Sequence, residues 1–270
     1  MKATFKLQSI FKQCSPQFDT YMHIYDHVVK PILLYGSDIW GIDQIMKNGT
    51  LNFNLILKDN IERNHINFCR HLLGVNKKAP NIGILGETGR YPISVEAICN
   101  SIKYFIRILN SEDDSLLNKA YNECLKINDE SSWLVRIQQI LKIIGVSIQR
   151  DSNTAYVIKI IKNFLLNRFI EFWRNELFND NHRENGNKLR SYRSYKYQFK
   201  KEEYLSMSKD QRCCFSKLRL SAHKLHIEPG RYVYKKDRLE PSRRTCKFCQ
   251  KNVCEDEFHF AMDCAFSIKS

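Results

Sequence analysis

Residues 246–264 read C-K-F-C-Q-K-N-V-C-E-D-E-F-H-F-A-M-D-C and hold the most specific pattern in the chain. Cys246, Cys249, His259 and Cys264 follow the spacing C-x2-C-x9-H-x4-C. Zn²⁺ takes four tetrahedral nitrogen and sulfur ligands, and two cysteines separated by two residues reach one ion from a tight turn. The spacing therefore predicts a zinc site that fixes the shape of the C-terminal segment.

Two alternatives to this four-residue site stay open. Cys254 lies inside the long gap and can replace a ligand, although the other four residues complete a tetrahedral set without it. The simpler interpretation is a pair of buried thiols, a free thiol and a buried histidine. Because a closed set of four protein ligands leaves no position for an activated water, we expect the metal to be structural.

Composition indicates a globular chain. Its 270 residues are 43% apolar and 12% aromatic, enough for one large or two modest domains. We expect a soluble, intracellular protein of the nucleus or cytoplasm, because neither a secretory leader nor an apolar run of about 18 residues is evident. The ten cysteines are then reduced. Five isolated ones are predicted to be small core residues: Cys14, Cys69, Cys99, Cys124 and Cys213.

Positive charge is concentrated near the C-terminus. The chain carries a formal net charge of +14, and residues 188–251 contain nineteen Lys and Arg against six Asp and Glu. Such an excess attracts phosphate backbones and releases their counterions, which makes binding depend steeply on salt. A solvated basic face is the alternative. We favour nucleic acid, RNA or DNA, as the partner, with no membrane involved.

The candidate nucleic-acid contacts combine cations with aromatic rings, which is the combination that single-strand binding requires. The alternative is that half of the tyrosines pack on the protein while the cations face water. The predicted contacts are Lys188, Arg190, Tyr192, Arg193, Tyr195, Lys196, Arg212, Lys217, Arg219, Lys224 and Arg231.

Helical periodicity dominates the first two thirds of the chain. Apolar residues recur at helical spacing over residues 18–32, 61–73, 97–109, 116–125, 133–144 and about 153–178. Short polar turns between them predict an all-α bundle. We place an α-helical domain at 1–180, a basic aromatic linker at 181–207, and a basic helix with the zinc segment at 208–270.

Three local predictions complete this description. Gly83, Gly86 and Gly89 are expected in a connector between helices, since they match no phosphate-binding motif. Residues 208–211 read S-K-D-Q, a capping box that opens a helix running to about residue 228, with its cations on the outer face and the pair His223 and His226 three residues apart. The acidic residues 255–257 are predicted to be solvated or to cap the following helix.

With these residues in hand, the chain resembles the C-terminal part of LINE-type non-LTR retroelement polyproteins, the region after the reverse-transcriptase palm. Residues 27–41, H-V-V-K-P-I-L-L-Y-G-S-D-I-W-G, are similar to a segment of the polymerase thumb. The similarity continues through 65–76, 85–92 and 215–232 and ends at the C-x2-C…H-x4-C segment, which is similar to the zinc knuckle of such proteins.

The resemblance implies a helical thumb-type region and a knuckle that grips template RNA or target DNA during reverse transcription. It carries the metal ligands over to Cys246, Cys249, His259 and Cys264. A polymerase palm requires adjacent aspartates for two divalent metals, and the pair Asp113-Asp114 is predicted in a turn between helices instead. We therefore expect a non-catalytic, nucleic-acid-binding fragment or remnant of such an element.

Two further readings remain. One is a zinc-stabilised helical scaffold whose basic face meets an acidic protein. The other is an enzyme that works only when joined to a palm supplied elsewhere.

Overall fold

The computed structural model describes residues 9, 17–43, 46–47, 50–126, 129, 132–180, 187–233, 237–249 and 251–264. The fold is all-α, as predicted, and its longer elements are helices throughout. The helices are α1 (Phe18–Ile24), α2 (Lys30–Leu33), α3 (Ser37–Trp40), α4 (Phe53–Ile56), α5 (Asn60–Leu73), α6 (Asn81–Thr88), α7 (Ser94–Leu109), α8 (Leu116–Lys126), α9 (Trp133–Ile144), α10 (Thr154–Phe178) and α11 (Lys209–Arg219).

Short elements connect these helices. A π-helical turn, Tyr25–Val29, joins α1 to α2, so the interruption predicted at Pro31 falls one turn earlier. Two strands of two residues each, β1 (Met46–Lys47) and β2 (Thr50–Leu51), pair antiparallel. Turns of 3₁₀-helix occupy Tyr192–Ser194, Glu203–Ser206, Pro229–Tyr232 and Pro241–Arg243, and a π-helical turn occupies His259–Asp263. None of the helices in the described ranges combines the length and apolarity needed to span a membrane.

The chain forms two compact units whose boundary differs from the one predicted near residue 180. The first contains residues 1–9, 20–65 and 91–172, and the second contains 10–19, 66–90 and 173–270. Segment 66–90 belongs with the C-terminal part because side chains of residues after 172 contact it. For example, the indole Nε1 of Trp173 donates to the carbonyl of Ile82 at 3.0 Å.

In the first unit the core is built on α7, whose buried face includes Ile98, Ile102 and Phe105. Helix α3 lies so close to α7 that a side chain in place of Gly41 would collide with the carbonyl of Ala97. Aromatic contacts fill the rest of this core. Phe53 meets the ring of Phe169 edge-on, at 5.3 Å between centroids.

The prediction that the three glycines form a connector between helices is wrong, since Gly83 and Gly86 lie inside helix α6. A side chain at Gly83 would collide with Leu220, and one at Gly86 would collide with Trp173 and Tyr192. These two glycines therefore allow close packing within the second unit. Gly89 does end the helix, in the left-handed conformation at φ 63°.

The predicted linker at 181–207 contributes buried side chains to the second unit. Residues 181–186 lie outside the described residues. In the remainder, Leu189, Tyr192 and Leu205 are fully buried. Of the cysteines predicted to be core residues, Cys69 and Cys99 are buried, whereas Cys124 is exposed and Cys213 is half-buried. Cys14 lies outside the described residues.

Helix α11 ends at Arg219, about nine residues earlier than predicted, so His223 and His226 are not on it. Ser221 adopts φ 49°, and the amide of Ala222 donates to the carbonyl of Lys217 at 2.8 Å. This is a Schellman ending with serine at the position that usually holds glycine. At the other end Ser208 bonds to the Gln211 side chain and caps no backbone amide, so the capping box is wrong.

Glu62 is a fully buried carboxylate in the first unit. Its Oε1 accepts hydrogen bonds from the amide and the hydroxyl of Ser94, both at 2.7 Å. Burial raises the pKa of Glu62 to about 7, although the bonds from Ser94 oppose the shift. The folded chain therefore favours the protonated carboxyl over the ionised one.

The stability that Glu62 contributes should be present below about pH 4.5 and lost as the pH rises through about 7. The shift corresponds to about 3 kcal/mol of unfolding free energy. We expect Glu62→Gln to remove this pH dependence. The unfolding free energy of the variant should therefore rise relative to that of wild type from pH 5 to pH 8, about the range over which a group of this pKa titrates. Denaturant titrations measure it.

Glu123→Gln is the control for this experiment, because the Glu123 side chain is 70% exposed. A difference between Glu62→Gln and wild type that stays constant with pH would contradict the prediction.

Candidate metal centre and basic surface

The four predicted metal ligands come together. The sulfurs of Cys246, Cys249 and Cys264 and a ring nitrogen of His259 all lie within 4.8 Å of one another. Cys246, Cys264 and His259 are buried, and Cys249 is half-buried. Separations of this size suit four ligands around one ion, since Zn–S distances are near 2.3 Å and Zn–N distances near 2.1 Å.

The backbone places the two halves of this cluster. The amide of Cys246 donates to the carbonyl of Val253 at 2.9 Å, and the amide of Phe248 points at the sulfur of Cys246 at 3.4 Å. On the other side, the amide of Cys264 donates to the carbonyl of His259 at 2.8 Å. A tight turn and one helical turn therefore present two ligands each, as the sequence spacing predicts.

Contacts of the imidazole identify its coordinating atom. Nε2 of His259 lies 3.3 Å from the sulfur of Cys249, while Nδ1 lies 3.2 Å from a carboxylate oxygen of Asp263. Lys251 in turn donates to Asp263 at 2.7 Å. A carboxylate on the far nitrogen fixes the tautomer and ring orientation of a metal-bound histidine. Nε2 is thus the nitrogen that faces the cysteine cluster and is placed to bind a metal ion.

Cys254 lies outside the cluster. Its sulfur is 3.2 Å from the carbonyl of Pro241, to which it donates as a thiol. Cys254 is not among the four residues whose ligand atoms lie within 4.8 Å of one another. The four-residue set is therefore preferred over one that includes Cys254.

We expect the purified chain to bind one metal ion per molecule and to lose it in Cys264→Ser, because three ligands hold zinc more weakly than four. Cys254→Ser is the matched control, a thiol in the same segment, and should retain the ion. Elemental analysis after gel filtration measures the ratio of metal to protein. Equal metal content in the two variants would contradict this ligand set.

The prediction that the acidic residues 255–257 are solvated or cap the following turn holds for one of them and not for the other two. Asp256 does cap the turn, since its Oδ1 accepts from the amide of His259 at 2.8 Å. Glu255 and Glu257 are buried, however, each 6% exposed. They are not solvated because they accept hydrogen bonds from the rest of the second unit.

Glu257 is the centre of a buried polar cluster. A guanidinium nitrogen of Arg190 donates to both carboxylate oxygens at 2.8 Å, the hydroxyls of Ser191 and Ser221 approach to 2.7 and 2.8 Å, and Nε2 of His223 lies at 2.7 Å. Burial alone would raise the pKa of Glu257, but His223 and Arg190 lower it to about 2. Glu257 is therefore ionised and fully satisfied.

Replacing Glu257 with Gln should destabilise the second unit by about 3 kcal/mol, because the half-buried guanidinium of Arg190 would lose one of its two carboxylate partners. Chemical denaturation of the metal-loaded chain measures this loss. Glu203→Gln is the control, since Glu203 is exposed. A loss below about 1 kcal/mol, the usual range of a surface pair, would show that the cluster does not stabilise the fold.

The structure separates the predicted nucleic-acid contacts into two groups. Most are buried, or half-buried and paired with carboxylates. These are Lys188, Arg190, Tyr192, Arg193, Lys196, Arg212, Arg219 and Arg231. Lys217 and Lys224 are exposed, and Tyr195 is 39% exposed.

Arg212 and Arg219 illustrate why the helix α11 cations turn inward. Nε of Arg212 donates to the carbonyl of Leu72 at 3.2 Å, and its guanidinium lies over the ring of Phe18. Arg219 donates two hydrogen bonds to Glu87, at 2.7 and 2.9 Å. Burial alone would lower the pKa of Arg219, but the hydrogen bonds that it donates to Glu87 raise it.

Sequence reasoning missed the carboxylates that these arginines require. Glu87 and Glu228 are buried, and both lie in stretches assigned to a connector or to a helix end. The available signal was the arginine itself, whose planar fork is the usual partner of a buried carboxylate. Of the eight residues named above, three are buried cations that bond to protein oxygens: Lys196, Arg212 and Arg231.

Comparison of the chain with protein-family models, with curated proteins and with solved structures finds no match in any of the three.

Proposed function

We propose that this chain is a non-catalytic, metal-stabilised protein that binds nucleic acid through the surface of its second unit. The observation that supports the proposal is the charge of the exposed residues. Because the arginines pair with buried carboxylates, the positive charge exposed at the surface is carried chiefly by lysine.

Exposed cations outnumber exposed carboxylates two to one among the described residues after 186. The eight exposed cations are Lys200, Lys201, Lys209, Lys217, Lys224, Arg243, Lys247 and Lys251. The four exposed carboxylates are Glu203, Asp210, Asp237 and Glu240. A lysine-rich surface suits phosphates contacted as point charges, without sequence readout.

The metal supports this role by holding the C-terminal segment in shape. A set of three thiolates and one imidazole gives zinc a closed tetrahedral shell, so the site would not activate water. Metal-binding thiols require a reducing compartment, which extends the proposal to an intracellular location. The resemblance to retroelement polyproteins suggests RNA or target DNA as the natural ligand.

Affinity for single-stranded RNA or DNA should fall by orders of magnitude from low to high salt, because binding releases counterions. Changing Lys217 and Lys224 to Gln should reduce the slope of log K against log salt by about 0.7 per lysine. Fluorescence anisotropy with a labelled oligonucleotide over a salt series measures the slope.

The matched control is Lys119→Gln with Lys159→Gln, which removes the same charge from exposed lysines of the first unit. Equal slopes for the two double variants would show that the second unit is not the binding surface. Affinity independent of salt would reject nucleic acid as the partner.

A further inference from the structure

A cleft of about 650 Å³ lies at the C-terminal end of helix α10, within the second unit. It is lined by side chains from the last two turns of that helix and by Lys196 and Tyr197. The lining is mainly apolar, and its described residues include no carboxylate. Clefts of this size with a largely apolar wall and a few polar groups are the usual sites for small molecules in proteins.

Two aromatic rings of this cleft remain exposed. Phe178 is 58% exposed and Tyr197 is 72% exposed, although both belong to the lining. The hydroxyl of Tyr197 donates to the carbonyl of Ser194, which restricts the orientation of the ring. The cleft also borders Trp173 and Leu177, which are fully buried and therefore form its base. A packed base and two open rings leave apolar surface that the fold itself does not cover.

Arg174 supplies the charge of the cleft. It lies four residues before Phe178 on helix α10, so the two side chains leave the helix on one face. Arg174 is exposed, and within the described part of the chain no carboxylate lies at ion-pair distance from it. Lys196, the other cation of the lining, is 3% exposed. Its ammonium already donates to Glu202 and to the carbonyl of Lys200. The guanidinium of Arg174 is therefore the group that can meet an anionic ligand.

We propose that the cleft binds a small planar aromatic anion, with its ring against Phe178 and Tyr197 and its acidic group on Arg174. Aromatic rings pair favourably with one another, and the planar guanidinium fork donates two parallel hydrogen bonds to an acidic group. Asp180, the next carboxylate along the chain, accepts from Arg193 at 2.8 Å and so leaves the charge of Arg174 unbalanced. This inference goes beyond the proposed function and does not rest on it.

The test uses two fluorescent dyes with the same ring system. Anilinonaphthalene sulfonate carries a sulfonate, whereas N-phenylnaphthylamine is uncharged. The metal-loaded full chain is titrated with each dye, and dye fluorescence gives the stoichiometry and the Kd. We expect one sulfonate dye per chain, bound about tenfold tighter than the neutral dye, which is the contribution of one charge-assisted hydrogen bond. Arg174→Gln should remove this preference and leave the affinity for the neutral dye unchanged.

Arg243→Gln is the matched control, because Arg243 is an exposed arginine of the second unit that does not line the cleft. It should bind both dyes as wild type does. Tyr197→Leu should weaken both dyes about fivefold, since it removes one ring and keeps an apolar side chain. All three side chains are exposed, so the variants should keep the fold. Equal loss of the sulfonate dye in Arg174→Gln and Arg243→Gln, or binding that Arg174→Gln and Tyr197→Leu both leave unchanged, would overturn the inference.

An excess of oligo(dT) separates the cleft from the proposed nucleic-acid surface. We expect the sulfonate dye to stay bound, because one arginine gives a polyanion little affinity for the cleft. Displacement of the dye by oligo(dT) would assign the cleft to the nucleic-acid surface and reject a separate small-molecule site. If the chain binds the dye as expected and does not bind oligo(dT) at low salt, the proposed function is rejected and the cleft is retained.

Discussion

The guanidinium of Arg190 lies between two buried carboxylates, donating to Glu228 at 2.9 Å and to Glu257 at 2.8 Å. Burying a carboxylate costs desolvation free energy, which is offset only if the group is paired and hydrogen-bonded. Glu257 lies two residues before His259, and Arg190 lies 67 residues before Glu257 in the chain. This pairing therefore ties the metal-binding segment to the rest of the second unit.

The parts of the structure that could be predicted are those decided by residues close together in the sequence. Helices with a clear apolar period, such as α7 and α9, follow directly from sequence because burial of one face decides them locally. The metal ligands follow for a similar reason, since the spacing of Cys246 and Cys249 is itself the geometry of a turn. In both cases the information lies within a few residues.

Long-range pairing could not be read in this way. The partner of Arg219 is Glu87, which lies 132 residues away, and no local pattern marks either residue as buried. Gly83 likewise gains its reason from Leu220 on a distant segment. A count of cations therefore overestimated the exposed charge at arginine positions. Arginine is favoured inside because its planar, weakly hydrated fork pairs with carboxylates and carbonyls.

This pairing bears on the metal-binding segment itself. Residues 241–264 leave Phe248, Phe258 and Met262 exposed, so apolar burial contributes little to the stability of the segment. The hydrogen bonds of Glu255 and Glu257 to residues outside the segment supply part of what a hydrophobic core otherwise would, and a metal ion held by the four clustered ligands would supply the rest from within.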